Sequence, residues 1–333
     1  MTPIQRTIMN KDTNQKAIWL MRQAGRYLPE FRKIRKNNKN FIDLCLNQNL
    51  STEITLQPLR RFNLDAAIIF SDILMIPYGL GQKVQFKKNF GPKLGVFDLD
   101  SLSEISKKDF SEKLNPVYKS IKKVKKDRLL KEKDLIGFVG APWTLLVYMI
   151  NKHSPKNELI INFFKDKKLI KETLKIIGKF LKVHIKNQVK SGVTIIQIFD
   201  SWAGLLKDKD LPNYVFEPTL DLVNYTKSLN VPAICFPRGI KNYKKFCEVV
   251  KPDVVNIDYD VDPKLISKEL QIPIQGGLNP KILLLDKIQI KKEATKYTNI
   301  FKDHPYIFNL GHGVLPETKP EMIEYLIKII KEQ

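Results

Sequence analysis

The sequence predicts an α/β fold: a single (β/α)8 TIM barrel over residues 1–333, read as one domain, with an excursion between the second and third strands. Three observations predict it. Eight short runs of β-branched and apolar residues recur along the chain, separated by amphipathic helical stretches. The runs are apolar on consecutive residues, as expected of parallel strands buried on both faces. The residues able to carry chemistry collect just after the runs, where a barrel displays its site.

The first run, Ala17–Met21, ends at Arg22, and the second, Ala66–Phe70, ends in Ser71-Asp72. Leu135–Val139 leads into Gly140-Ala141-Pro142, and Val193–Phe199 into Asp200-Ser201-Trp202-Ala203-Gly204. Ala233–Phe236 precedes Pro237-Arg238-Gly239, and Val254–Asp258 is the sixth run. Pro273–Gln275 opens onto Gly276-Gly277-Leu278-Asn279-Pro280, and Tyr306–Leu310 onto Gly311-His312-Gly313. Eight strand candidates alternating with helices suit a closed barrel better than an open sheet.

Among the helices, Ser51–Phe62 has Ser51 as N-cap and Glu53 at its third position, a capping-box pattern. Leu169–Val189 repeats apolar residues at 3–4 spacing and is closed by Ser191-Gly192. Pro320–Lys331 is a final amphipathic helix. The long second connection places Gly79, Gly81, Gly91 and Gly95 around Lys83–Phe86, which reads as a hairpin able to lid a cleft. No internal repeat and no low-complexity linker divides the chain.

Hydrophobic residues make up 43% of the chain and charged residues 28%, a globular balance. The 57 Lys and Arg outnumber the 35 Asp and Glu, for a net charge of +22. Such a charge directs attention to nucleic acid, membranes or acidic ligands. Only nine of the cations are arginine, and lysine spreads over helix faces, as in Lys122-Lys123-Val124-Lys125-Lys126. No basic helix carries interleaved aromatics, so a general lysine drift accounts for the excess better than a nucleic-acid surface. Cys45, Cys235 and Cys247 form no CxxC and no even framework, which fits a reducing, cytoplasmic compartment. The stretch Met1–Lys16 has no apolar core of a secretory signal, and no apolar run reaches membrane-spanning length.

The strand ends bring together Arg22, Arg26, Asp72, Ser201, Arg238 and His312. Two arginines four residues apart, with Gly25 between them, suit a loop around an anion, because each guanidinium forks onto a carboxylate or phosphate. The strand-end runs contain no lysine, which disfavours a Schiff-base aldolase. The glycines after the seventh and eighth runs fit a phosphate cradle or plain turn chemistry, with turns the simpler reading. Among the four histidines only His312 ends a strand, and no HExxH or paired cysteines occur, so no metal is expected. Asp258 and Asp260 are read as loop-capping residues. Ser201, His312 and Asp200 have the composition of a hydrolytic triad, but Ser201 lies in no G-x-S-x-G elbow.

With these ends assembled, the motifs become specific. They are Trp19-Leu20-Met21-Arg22-Gln23-Ala24-Gly25-Arg26-Tyr27-Leu28-Pro29-Glu30, Phe70-Ser71-Asp72-Ile73-Leu74, Gly137-Phe138-Val139-Gly140-Ala141-Pro142-Trp143-Thr144-Leu145 with Tyr148, Phe199-Asp200-Ser201-Trp202-Ala203-Gly204, Gln275-Gly276-Gly277-Leu278-Asn279-Pro280 and Phe308-Asn309-Leu310-Gly311-His312-Gly313-Val314-Leu315-Pro316. Over nearly the whole chain the sequence resembles the uroporphyrinogen decarboxylase family of haem biosynthesis.

The resemblance implies a cytoplasmic homodimer without cofactor. It implies removal of CO₂ from the four acetate side chains of uroporphyrinogen III, giving coproporphyrinogen III. Carried onto this sequence, it makes Arg22 and Arg26 carboxylate binders, with Gln23, Ala24 and Gly25 beside them. Asp72 would accept hydrogen bonds from the pyrrole N–H groups, and Tyr148, Ser201 and His312 would contact substrate carboxylates or neighbouring groups. Asp72, Arg22 and Tyr148 are the expected catalytic residues; the proton donor is left open between Arg22, a substrate carboxyl and a water relayed by Tyr148. Zinc-dependent, cobalamin-related methyltransferases share the superfamily look, with a His and Cys after the fifth strand and a Cys after the eighth. Here Ala233 stands in place of that His, and His312 in place of the later Cys.

Overall fold

The computed structural model describes residues 1–87, 90–155 and 166–332. In chain order the strands are β1 (Ala17–Ile18), β2 (Ala66–Ile68), β3 (Val84–Lys87), β4 (Gly91–Leu94), β5 (Asp134–Gly140), β6 (Ile195–Asp200), β7 (Ala233–Pro237), β8 (Val254–Ile257), β9 (Ile274–Gly276) and β10 (Tyr306–Phe308). Strands β3 and β4 pair with each other, antiparallel. The other eight form one sheet in the order β1-β10-β9-β8-β7-β6-β5-β2. Each expected run supplies one of these strands, and the helices between them complete the TIM barrel.

The seam between β1 and β2 is closed by one backbone hydrogen bond and two side-chain bonds instead of a regular ladder. The Asp65 N–H donates to Ile18 O at 2.9 Å, and the Ile18 N–H donates to Asp65 Oδ2 at 2.7 Å. Further along, Gln23 Nε2 donates to Ala66 O at 3.0 Å. This explains why the first strand is shorter than the expected Ala17–Met21: beyond Ile18 the Leu20 and Met21 N–H groups donate to Gln23 Oε1 and Asn309 Oδ1. The Asp65 carboxylate is held in turn by Lys331 Nζ, 2.5 Å away, from the helix Pro320–Lys331.

Period-2 alternation sorts each strand into two layers. Ala17, Trp19, Met21, Ala66, Ile68, Ile136, Ile195, Ile234, Phe236, Val254 and Ile307 form the barrel interior. Their neighbours Ile18, Leu20, Ala67, Ile69, Leu135, Ile196, Ile198, Ala233, Cys235, Val255, Ile257, Tyr306 and Phe308 pack against the helices. The interior also holds a polar layer, where Trp19 Nε1 donates to Gln275 Oε1 (2.8 Å) and Gln275 Nε2 donates to Asn256 Oδ1 (2.8 Å) and Gln197 Oε1 (3.1 Å). The opening at the N-terminal ends is filled by Ile4 and Ile8 of the helix Pro3–Met9. Gln5 of that helix anchors it to Asp134, at the start of β5, at 2.9 Å.

The expected hairpin is β3–β4; its tip residues Lys88 and Asn89 lie outside the described residues. It is fastened at the side of the barrel: the Leu94 N–H donates to Lys152 O at 2.7 Å, and the Phe86 ring lies 4.6 Å from that of Phe41. The expected helix Ser51–Phe62 begins one turn earlier, as Gln48–Arg61, because Asn47 Oδ1 caps the N–H groups of Asn49 and Leu50 at 3.1 Å. Ser51 lies buried inside it and donates to Phe70 O at 2.7 Å, while Glu53 pairs with Arg60. The lysine run Lys122–Lys126 lies along an exposed helix face with Val124 turned inward, as a solvated surface requires.

Gly178 sits inside the helix Lys167–Lys190, and a β-carbon built on it meets nothing within 4 Å. Gly178→Ala should therefore raise stability by about 0.5–1 kcal/mol, since alanine costs less backbone entropy in a helix. Urea unfolding checks this; an unchanged or lowered midpoint would contradict it.

Candidate active site

Arg22 follows β1 with φ at +61°, a left-handed conformation that is unusual for a residue with a β-carbon. The turn is held from both sides: Gln23 N–H donates to Leu20 O, and Val314 N–H to Met21 O, each at 2.9 Å. The stem of Arg22 crosses Gly313, where a β-carbon would stand 2.2 Å from Cδ and 2.8 Å from Nε. The loop after the last strand therefore seats the side chain delivered by the first.

Arg22 is solvent-accessible at the barrel mouth yet enclosed by protein. Desolvation lowers its pKa, Arg26 and Arg238 push in the same direction, and Asp72 and Tyr148 oppose them. The mouth thus gathers Arg22, Arg26, Asp72, Tyr148 and Arg238 within electrostatic reach. Arg26 is exposed, and its guanidinium makes no hydrogen bond or ion pair among the described residues. Gln23 lies beside Arg22 with its side chain turned into the loop. It is 1% exposed, with Oε1 accepting from Leu20 N–H and Nε2 donating to Ala66 O, both at 3.0 Å. Its side chain braces the loop from β1 to β2. Ala24 and Gly25 are half-buried beside it, with Gly25 O accepting from Leu28 N–H at 3.0 Å.

Asp72 follows β2. Its Oδ1 accepts from Leu74 N–H at 2.8 Å. Burial raises its pKa to about 6, against the Leu74 hydrogen bond and the attraction of Arg22. Tyr148 comes from the helix Pro142–Asn151, with its ring edge-on to Trp202 at 5.7 Å. Burial raises the Tyr148 pKa, and a hydrogen bond with Ser154 opposes the rise. Ser201 is half-buried and makes no hydrogen bond among the described residues. His312 is lowered to about 4 by burial and by the charges of Arg22 and Arg238, so the imidazole is neutral near pH 7.

The hydrolytic triad is absent from this arrangement. Asp200, raised to about 7 by burial, takes the Thr144 hydroxyl at 2.6 Å and has no bond to His312. Asp258 pairs with Arg238 at 3.2 Å and caps Tyr259 N–H at 2.8 Å. The glycine carbonyls after β9 are taken by tyrosines: Gly276 O by Tyr306 and Gly277 O by Tyr297, both at 2.6 Å. Both glycines take left-handed φ, +86° and +93°, as turn residues do. Cys235 lies inside β7, in the layer facing the helices and away from the mouth. Among the described residues no group of three or more His, Cys, Asp or Glu side chains is arranged to hold a metal.

Two residues within the quoted motifs carry no role in the sequence reading. Phe138 and Phe199, half-buried and edge-to-face at 5.8 Å, pack on the barrel interior from the mouth side. They give the charged mouth an apolar floor. Period-2 counting along β5 and β6 already puts both on the inward face, so the signal was present in the strands themselves.

A family model described as Uroporphyrinogen decarboxylase (URO-D) matches residues 1–333. A uroporphyrinogen decarboxylase of Rickettsia bellii is 43% identical over 338 residues, covering 100% of this chain and 99% of that protein. The one of Rickettsia felis is 40% identical over 329 residues, covering 97% and 95% respectively. Among solved structures, a methyltransferase from Methanosarcina mazei superposes with a TM-score of 0.75 at 14% identity, covering 96% of this chain and 92% of that one, a likeness of fold alone. Whole-length identity of this order, on a barrel whose mouth carries the arginine loop and Asp72, is decisive: the chain belongs to the uroporphyrinogen decarboxylase family.

Proposed function

We propose that the barrel mouth binds uroporphyrinogen III around Asp72 and decarboxylates its four acetate side chains, giving coproporphyrinogen III. One observation carries the reading: among the described residues Asp72 is the one carboxylate whose charge acts on Arg22, beside Arg26, Arg238 and Tyr148. A ligand suited to that pattern is anionic at its rim and donates N–H bonds at its centre. A porphyrinogen has eight carboxylates outside and four pyrrole N–H groups inside. Arg22 and Arg26 take rim carboxylates, Ser201, Tyr148 and neutral His312 supply further polar contacts, and Phe138 and Phe199 underlie the macrocycle.

The chemistry needs an electron sink. Protonation of a pyrrole α-carbon gives a cationic ring. The electrons of the bond to the acetate carboxylate then flow into that ring, and CO₂ departs. The exocyclic methylene left behind takes a proton to become methyl, and the α-carbon returns its own. Each turn thus consumes one proton and releases one CO₂. Ionised Asp72 stabilises the cationic ring in a water-poor setting, which is electrostatic preorganisation. Arg22, enclosed at the mouth within reach of Asp72 and loosened in its hold on a proton by desolvation, is the proton donor of this proposal, with Tyr148 placing the acetate.

We extend the proposal to a cytoplasmic homodimer acting as one domain, without nucleic-acid binding. Among the described residues no helix is long and apolar enough to cross a membrane. Leu265, Leu284, Leu285 and Ile288 are exposed apolar side chains, which supports a partner surface. Anaerobic incubation with uroporphyrinogen, followed by oxidation and separation of the porphyrins by carboxyl number, tests the activity. A progression from eight carboxyls to four is expected; product that stays at eight refutes it.

A further inference from the structure

Arg238 stands at the mouth with four of its five guanidinium N–H donors unused among the described residues. Its backbone is locked: the N–H donates to Asp200 O and the C=O accepts from Gly204 N–H, both at 3.0 Å. Its Nε donates to Asp258 Oδ2 at 3.2 Å, and Asp258 is itself held by the Tyr259 N–H at 2.8 Å. The side chain is 31% exposed against 5% for Asp258. Only the inner nitrogen of the guanidinium is engaged. The two Nη groups make no hydrogen bond or ion pair among the described residues.

A guanidinium gripped at Nε and free at both Nη groups is oriented in advance for a second carboxylate. Its place in the barrel says where that carboxylate lies. In the sheet order, β7 is four strands from β1 in either direction. Arg238 therefore faces Arg22 and Arg26 across the mouth, and its charge acts on both Arg22 and His312. Beside it, Lys207, Asp208 and Lys241 line a cavity of about 250 Å³ with Gly204 and Gly239, a lining with one net positive charge.

We infer that Arg238, oriented by Asp258, binds a rim carboxylate of the tetrapyrrole on the side of the ring opposite the reacting acetate. This rests on the proposed site. A carboxylate that does not react is held equally in ground and transition states, so Arg238 contributes to KM and leaves kcat alone. Asp258 is then a positioning residue.

Steady-state kinetics with uroporphyrinogen test this. Arg238→Gln should raise KM on the order of 10- to 100-fold, as expected for a charge-assisted bond, with kcat within about 2-fold of wild type. Arg238→Lys, the milder change, should recover only part of the affinity because it lacks the fork. Asp258→Asn should raise KM in the wild-type background and add nothing in the Arg238→Gln background. An unchanged KM in both Arg238 variants, or a fall in kcat at constant KM, would overturn the carboxylate role. Additive effects of the two sites would overturn the positioning role. A wild type that converts uroporphyrinogen while Arg238→Gln keeps its KM refutes this inference alone, whereas an inactive wild type refutes the reading of the site.

Discussion

Asp72→Asn is expected to lower turnover of uroporphyrinogen by about 100- to 1,000-fold, the usual cost of removing one preorganised electrostatic partner. Asparagine keeps the oxygen that accepts from Leu74 N–H, so the loop after β2 should stay in place. What is lost is the negative charge opposite the cationic ring. Stability should move the other way. The Asp72 pKa is raised from 3.8 to about 6 on folding, so its contribution is fully present below 3.8 and is lost as pH rises through about 6. A rise of that size corresponds to about 3 kcal/mol at most. The variant should therefore be about 1–3 kcal/mol more stable than wild type at pH 7.5, with the gap closing towards pH 4. Near-normal decarboxylation by Asp72→Asn would sink the charge-stabilising role, and a variant less stable at pH 7.5 would contradict the electrostatic account.

Gly313→Ala is expected to lower kcat/KM on the order of 100-fold although it removes no functional group. The added methyl would lie 2.2 Å from Arg22 Cδ and 2.6 Å from Cγ, a separation no real contact tolerates. Arg22 must swing aside, and misplacing a catalytic group by about 1 Å costs a loss of that order. The displaced atoms belong to a flexible side chain, so the fold should survive. A double-mutant cycle isolates the cause: in an Arg22→Ala background the glycine change should have little further effect. Wild-type kinetics for Gly313→Ala would show that Arg22 does not need its observed seat.

The strands and the motif-bearing loops were legible in the chain itself. A parallel strand buried on both faces must be apolar over consecutive residues, and a barrel must present its working groups after those residues. Both constraints are local, so runs such as Leu135–Val139 and Val193–Phe199 stand out without tertiary information. Helix starts are less legible, because neighbouring polar residues compete for the cap: Asn47 takes it one turn before Ser51, whose hydroxyl is committed to Phe70 O, 19 residues on.

The barrel, its excursion, and the arginine loop, Asp72 and His312 at the strand ends are all readable along the chain. These follow from hydrophobic period and from side-chain chemistry adjacent in the chain. The tertiary structure decided what each group is free to do. Gln23 bonds Ala66 O across the seam, 43 residues away, and becomes a brace. Arg22 is seated on Gly313, and Arg238 is gripped at Nε by Asp258. Hydrogen bonds and desolvation act through space, and only the closed barrel brings these residues close enough for them to act.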